Sequence, residues 1–219
     1  TSSSRLDGKQ LSSDTVHALV QVKGNRLFIG TEGGGLNVYD IESQSVAYYF
    51  VDRKQAHSLC HNEVKVMHKA RDGTIWLGTV DGLNRLDPAS MAFHCFRNEA
   101  DNEFSLSNNE VVAIQEDDSG NLWVGTEGGG VNYFDSSDSK FYRYQQDAND
   151  PASLSNDEIQ TLYISEDESL WVGTVNGLNR LAPDQANLRQ GAVNFEKFWY
   201  QKGSRDSISS NVISAIYQD

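Results

Sequence analysis

Apolar residues recur along this chain in short bursts of four to six, each closed by a cluster of Gly, Asn, Asp or Ser. In residues 106–144, 111–116 is a β-branched run and 117–121 is a polar turn with a glycine. An apolar run follows at 122–126, then a glycine-rich turn at 127–130 and aromatic-bearing runs at 131–135 and 141–144. Runs of that length, bounded by turn formers, predict strands, and the spacing leaves no room for a helix of ten residues. Four short strands joined by tight turns predict an antiparallel meander.

The unit repeats. A hydrophobic triplet followed by Gly-Thr occurs at 27–31, 75–79, 122–126 and 170–174, and its glycines Gly30, Gly78, Gly125 and Gly173 lie 48, 47 and 48 residues apart. A second landmark, Leu-[Ser/Cys]-x-x-x-[Val/Ile], begins at Leu11, Leu59, Leu106 and Leu154, and residues 208–219 read as the opening of a fifth copy. A period near 48 signals a propeller or solenoid. Each unit carries a large ring, Phe28, Trp76, Trp123 or Trp171, whose burial is worth roughly 1.5–3 kcal/mol and needs a neighbouring sheet to supply it. Stacked twisted sheets give a β-propeller. The expected fold is therefore all-β, a β-propeller segment of four four-stranded antiparallel blades plus the start of a fifth. The incomplete fifth copy favours an arc cut from a larger ring over a small closed one, and its uncovered end blades predict self-association. The expected divisions are a lead-in at 1–10, blades at 11–58, 59–105, 106–153 and 154–207, and the first strand of a fifth at 208–219.

Composition narrows the function classes. With 18 Lys and Arg against 31 Asp and Glu, the net charge is −13, which argues against a nucleic-acid partner. Residues 1–10 lack the charged start and apolar stretch of a signal peptide, and no apolar run approaches 18 residues, so the expectation is a soluble segment that meets a membrane only through flanking segments.

The pattern Leu-Ser-x-x-x-Val, Asp-x-x-Gly-x-Leu-Trp-Val-Gly-Thr and Gly-Gly-Gly-Leu-Asn-x-Tyr-Asp, closed by Phe-x-x-Tyr, resembles the two-component regulator propeller repeat. The third unit shows it best, in Leu106, Ser107, Val111, Asp117, Gly120, Leu122, Trp123, Gly125, Thr126, Gly129, Gly130, Asn132 and Asp135. The resemblance covers about residues 11–219. It implies a periplasmic sensor region of a membrane-bound bacterial regulator, with a histidine kinase or diguanylate cyclase output elsewhere, and carbohydrate breakdown products among the ligands. The first unit departs from the pattern, with Phe28 for Trp and Gly24-Asn25 for the turn.

Residues shared by every unit, including the Gly-Thr pairs and Asn37, Asn84, Asn132 and Asn179, are read as packing residues. The glycine turns join two strands, whereas a phosphate cradle needs a strand and a helix N-terminus. Units one and three share Thr-Glu-Gly-Gly-Gly, while two and four share Thr-Val-[Asp/Asn]-Gly. Gly30 to Gly125 and Gly78 to Gly173 are both 95 residues, as a duplicated pair requires. The turn between strands two and three shares a rim with the connection into the next blade. That places Glu32, Asp81, Glu127 and Asn176, and Asp14, Asn62, Asn109 and Asp157, around one mouth as candidate ligand-binding residues. Carboxylates and amides suit sugar hydroxyls, although turn formation alone also explains them. Trp199, inside 195–200 and without a counterpart in the other units, is read as an outer-strand packing residue, with stacking on a sugar or facing a missing partner as the alternatives.

Catalytic residues, cofactors and metals are not expected. The partial Asp-box at 118–123 lacks its Ser and Thr, no Gly-x-Ser-x-Gly elbow exists, and nothing singles out a glycosidase acid pair. The His57-Ser58-Leu59-Cys60-His61 cluster lacks a ligand for a closed zinc site and is not a haem attachment. Cys60, near the start of strand one, and Cys95, on strand four, are expected about 14 Å apart at roughly 4.8 Å per strand. Two free thiols are therefore predicted. The expected work is to bind a small molecule, with oligosaccharides as one class, and to transmit. A protein-interaction scaffold and a glycan-active enzyme are the alternatives.

Overall fold

The computed structural model describes residues 10–22, 24–52, 54–55, 57–183, 188–190 and 193–218. Most of the expected lead-in, residues 1–9, lies outside the described residues, as does Asp219. Four meanders fill the chain. The first contains β1 (Val16–Val22), β2 (Arg26–Thr31), β3 (Leu36–Asp40) and β4 (Ser45–Tyr49), and the second β5 (Val64–Lys69), β6 (Ile75–Thr79), β7 (Gly82–Asp87) and β8 (Ala92–Phe96). The third contains β9 (Val111–Glu116), β10 (Leu122–Thr126), β11 (Gly130–Asp135) and β12 (Lys140–Tyr144). The fourth contains β13 (Ile159–Ile164), β14 (Leu170–Thr174), β15 (Gly177–Leu181) and β16 (Phe195–Phe198), with one 3-10 turn at Leu188–Gln190. Each sheet keeps its sequence order and its described strand pairs are antiparallel, as the alternation of apolar runs and turn residues predicts.

Contacts divide the chain into two compact units. In the unit made of the first two sheets together with residues 109–111, Phe28 and Val38 meet Val64, Ile75, Leu77, Leu86 and Phe93 in one core. In the unit made of the last two, Trp123, Tyr133 and Tyr144 meet Ile159, Leu162, Leu170, Val172, Leu181 and Phe195. Equivalent faces thus do equivalent work: the ring face of one sheet lies on the aliphatic face of the next. Burying each of these large side chains is worth roughly 1.5–3 kcal/mol, and a lone sheet would leave them wet. The joint depends on glycine. A Cβ on Gly30 would lie 2.7 Å from Val64 Cγ1, one on Gly78 2.6 Å from Val111 Cγ1, and one on Gly125 2.6 Å from Ile159 Cγ2. Each glycine therefore leaves a notch for the β-branched residue of the following first strand.

A second recurring device is the buried asparagine of strand three. Asn37, Asn84, Asn132 and Asn179 are all fully buried, and their Oδ1 atoms accept the backbone N–H of Ser12, Cys60, Ser107 and Ser155, each at 2.8 Å. In three sheets the amide Nδ2 also donates to that serine's Oγ. The asparagine thus ties the segment that crosses the end of the sheet to strand three.

This crossing overturns the expectation of free thiols. Cys60 and Cys95 form a disulfide, with Cα atoms 5.6 Å apart. The expectation measured from strand one, but residue 60 precedes β5 and sits over strand three, held by Asn84. Asn84 is the cross-strand partner of Cys95, so the two sulfurs are neighbours and the three-strand separation never arises.

Candidate functional site

The sheet ends that carry the candidate residues are built from two kinds of turn. In the first sheet, Gly33 and Gly35 adopt φ of 71° and 69°, and Thr31 closes the loop by donating Oγ1–H to the Gly35 carbonyl at 2.9 Å. The third sheet repeats this with Gly128, Gly130 and Thr126. The short turns of the second and fourth sheets use one glycine, Gly82 or Gly177, at φ 122°, with Thr79 or Thr174 bonding its carbonyl. Side chains with a Cβ are strained at such positive φ, so glycine is required here.

Every turn is fastened to the connection that leads onward. Gly35 N–H donates to the Asn62 carbonyl (2.7 Å), Gly82 to Asn109 (2.7 Å), Gly130 to Asp157 (2.9 Å) and Gly177 to Asn211 (2.7 Å). The turn and the connection therefore share an edge of their own unit, as the sequence pattern predicts. Asn211, in the same column of the repeat, belongs with the candidates and was missed because only four complete copies were aligned.

The candidate side chains divide into two groups. Glu32, Glu127, Asn176 and Asp14 are exposed. The others are partly buried, and most have structural partners. Asn62 Oδ1 accepts the Val51 N–H at 2.7 Å, and Asp157 Oδ1 accepts that of Gln146 at 2.6 Å; Asn211 does the same for Tyr200 at 2.7 Å. Each thereby ties the chain just after strand four to the connection. Burial pushes the Asp157 carboxyl above its ordinary value. Asn109 Nδ2 donates to Asp81 Oδ1 at 3.1 Å, which brings together two residues of the predicted set. Asp81 also pairs with Arg97 at 3.2 Å, and Arg97 donates to the Cys60 carbonyl at 3.0 Å.

Arg97 had no place in the sequence reading, since residues after strand four follow no repeating pattern. Trp199 holds the corresponding place in the fourth sheet, just past β16. It is 44% exposed. Its indole edge lies at the Gly177 turn, where an added Cβ would be 3.0 Å from Nε1, next to exposed Asn176. Among the described residues no group of three His, Cys, Asp or Glu is arranged to hold a metal ion. In the 57–61 cluster, Cys60 is consumed by the disulfide and His61 Nδ1 accepts the Glu63 N–H.

Comparison with known proteins places these features. Residues 105–128 match the two component regulator propeller family. No curated protein matches the chain. The extracellular domain of a protein described as a hybrid two component system from B. thetaiotaomicron is 25% identical, with a TM-score of 0.74 over 95% of this chain and 26% of that one. A second such domain from the same organism is 21% identical, with a TM-score of 0.73 over 96% of this chain and 26% of that one. This chain thus spans about a quarter of either structure. Virginiamycin B lyase from Staphylococcus aureus is 12% identical, with a TM-score of 0.61 over 92% of this chain and 61% of the lyase, and shares the fold alone.

Proposed function

We propose that this chain is a run of two component regulator propeller repeats and forms part of an extracytoplasmic sensing region, which binds a small polar ligand and passes the signal to an output outside these residues. The observation that carries the reading is the likeness, along 95% of the chain, to the extracellular domain of a hybrid two component system. The Cys60–Cys95 disulfide supports it, because structural disulfides persist in oxidising compartments and are rare in the cytosol. Periplasmic location is the specific form of this proposal.

Glu32, Glu127, Asp14 and Asn176 are the residues the reading assigns to ligand contact, being exposed acceptors and amides at the sheet ends. Asn62, Asp81, Asn109 and Asp157 hold the backbone or one another and shape the edge on which those groups stand. A ligand drives a signal only by its differential affinity for two arrangements of the protein. The test is a thermal-shift screen of the 219-residue chain against oligosaccharides and small organic anions. A melting temperature that rises with ligand concentration, and a rise reduced by Glu32→Ala or Glu127→Ala, is expected. A flat response across both classes overturns ligand binding by this segment. Binding rather than turnover is assigned here, and hydrolysis of reporter glycosides would overturn that assignment.

A further inference from the structure

The residue opposite the buried asparagine does the same work in three of the four sheets. Tyr48, Cys95 and Arg143 stand there, and each fastens the segment that crosses the end of its own sheet. The Tyr48 hydroxyl donates to the Gln10 carbonyl, and Cys95 is bonded to Cys60. Arg143 donates Nε–H to the Ser105 carbonyl and Nη2–H to that of Asn102, both at 2.9 Å. In the fourth sheet the place belongs to Lys197, whose ammonium has no hydrogen bond or ion pair among the described residues.

Residues two apart on a strand share a face, so Trp199 follows Lys197 on the face that carries Asn179 and Ser155. They meet at the Gly177 turn, where an added Cβ would lie 3.0 Å from Trp199 Nε1 and 3.1 Å from Ser155 Oγ. Trp199 is exposed, as is Asn176 next to that glycine, and among the described residues neither the indole N–H nor the Asn176 side-chain amide has a partner. Ser155 Oγ is taken by Asn179 and Thr174, and Glu196 lies on the other face, with Arg180 at 3.7 Å. Exposure belongs to the place itself: Gln145, which holds it after β12, is exposed although the fourth sheet packs on the third. The second sheet satisfies the same edge internally, since Arg97 stands at the place of Trp199 and pairs with Asp81, at the place of Asn176, at 3.2 Å. In the fourth sheet the acid has become an amide and the cation, moved to Lys197, has no acid to answer it.

We propose that this end of the fourth sheet binds a small organic anion, a carboxylate borne on a six-membered ring, with Lys197 and Asn176 as donors to the carboxylate and the Trp199 indole as the platform for the ring. The ligand takes the part that Asp81 plays in the second sheet. The inference rests on the reading of the chain as a small-ligand binder and names the class of ligand. An ionised carboxylate only accepts, which suits a set of unspent N–H donors, and its hydrogen bonds to a cation are stronger than neutral ones. An exposed ion pair alone is weak, so the ring is needed: stacking on the indole removes apolar surface from water. The net charge of −13 does not forbid an anion here, because charges beyond about 8 Å are largely screened at physiological ionic strength.

The probes are sodium glucuronate and sodium benzoate, which carry the carboxylate on a polar saturated ring and on an aromatic one, with their methyl esters and sodium acetate as controls. Each is added to the 219-residue chain at up to about 50 mM, above the millimolar affinity expected of so few contacts. The readout is the indole N–H resonance of Trp199, assigned by its loss in Trp199→Phe. A saturable shift with at least one ring acid is expected, and the tighter of the two identifies the kind of ring. Lys197→Met or esterification is expected to weaken binding at least about threefold, the size of a lost exposed ion pair, whereas Lys197→Arg keeps the charge and retains binding. Circular dichroism and thermal melting establish that the variants are folded. Equal affinity for acid and ester, acetate binding as tightly as the ring acids, or affinity unchanged in Lys197→Met overturns the proposal. No shift with either ring acid, while the thermal-shift screen finds a ligand that depends on Glu32 or Glu127, overturns this inference and leaves the broader reading standing; no response in either experiment overturns both.

Discussion

The ends of the second and fourth sheets begin from the same turn, Thr79-Val80-Asp81-Gly82 in one and Thr174-Val175-Asn176-Gly177 in the other, and are finished in opposite ways. In the second, the crossing segment is bonded covalently to strand four through Cys60 and Cys95, and Arg97 clasps Asp81 and the Cys60 carbonyl. In the fourth, Ser155 replaces the first cysteine, Lys197 stands opposite Asn179 where Cys95 stands opposite Asn84, and a half-exposed Trp199 takes the place of the arginine. The backbone scaffold is shared, held in each case by a buried asparagine and a turn glycine. The difference teaches that the scaffold is secured below the surface, which leaves the outermost side chains free to close the edge or to keep it open.

The sharpest way to break the comparison is to remove the cross-link. Cys60→Ser with Cys95→Ala is expected to cost about 3–4 kcal/mol in urea denaturation, the value for opening a loop of this length, while the serine regains the hydrogen bond that Ser155 makes to Asn179. The converse is to build the bridge in the fourth sheet. Ser155→Cys with Lys197→Cys is expected to form a disulfide on oxidation, detected by mass spectrometry, and to add about 2–3 kcal/mol or less, as engineered bridges do. Asn179→Ala strips the Ser155 N–H of its acceptor in a fully buried place and is expected to cost about 1–3 kcal/mol by the same denaturation assay. Arg97→Ala removes a pairing that is largely solvent-exposed, with an expected loss below about 1 kcal/mol that shrinks further in high salt.

The smallest effect concerns Asp157, which stands where Asn62, Asn109 and Asn211 stand in the other copies. Burial raises its carboxyl above the ordinary 3.8, so the native chain holds that proton after the unfolded chain has released it. Stability therefore falls as pH rises from near 3.8 through the raised value, and the loss persists at neutral pH. Asp157→Asn keeps the acceptor for the Gln146 N–H and is expected to flatten that part of the pH–stability curve. The gain at pH 7 is below about 1 kcal/mol, since the group is partly solvated.

The strands were legible because each apolar run is fenced by turn residues and the fence recurs four times. The runs at 111–116 and 122–126 fall on β9 and β10 to the residue. The shared asparagines were rightly read as structural, and the turn and connection do share an edge. The disulfide was missed because counting strands from the first ignores that residue 60 has not yet reached strand one. The signal present was a cysteine in the serine column, beside an asparagine whose cross-strand partner is the other cysteine. The division of the candidate residues into exposed groups and backbone clamps was not legible, because the N–H groups of Val51 and Gln146 that occupy Asn62 and Asp157 leave no trace in residue type. Arg97 and Trp199 were invisible as a matched pair for a related reason: the positions after strand four carry no common pattern.

The glycine notch has a consequence for how such a chain changes length. Because the same small socket receives the same branched side chain at Gly30, Gly78, Gly125 and Gly173, a unit copied or deleted by recombination meets a neighbour already shaped to accept it. The 95-residue spacing between like turns is the spacing that copying two modules together would leave, with no new joint to be invented.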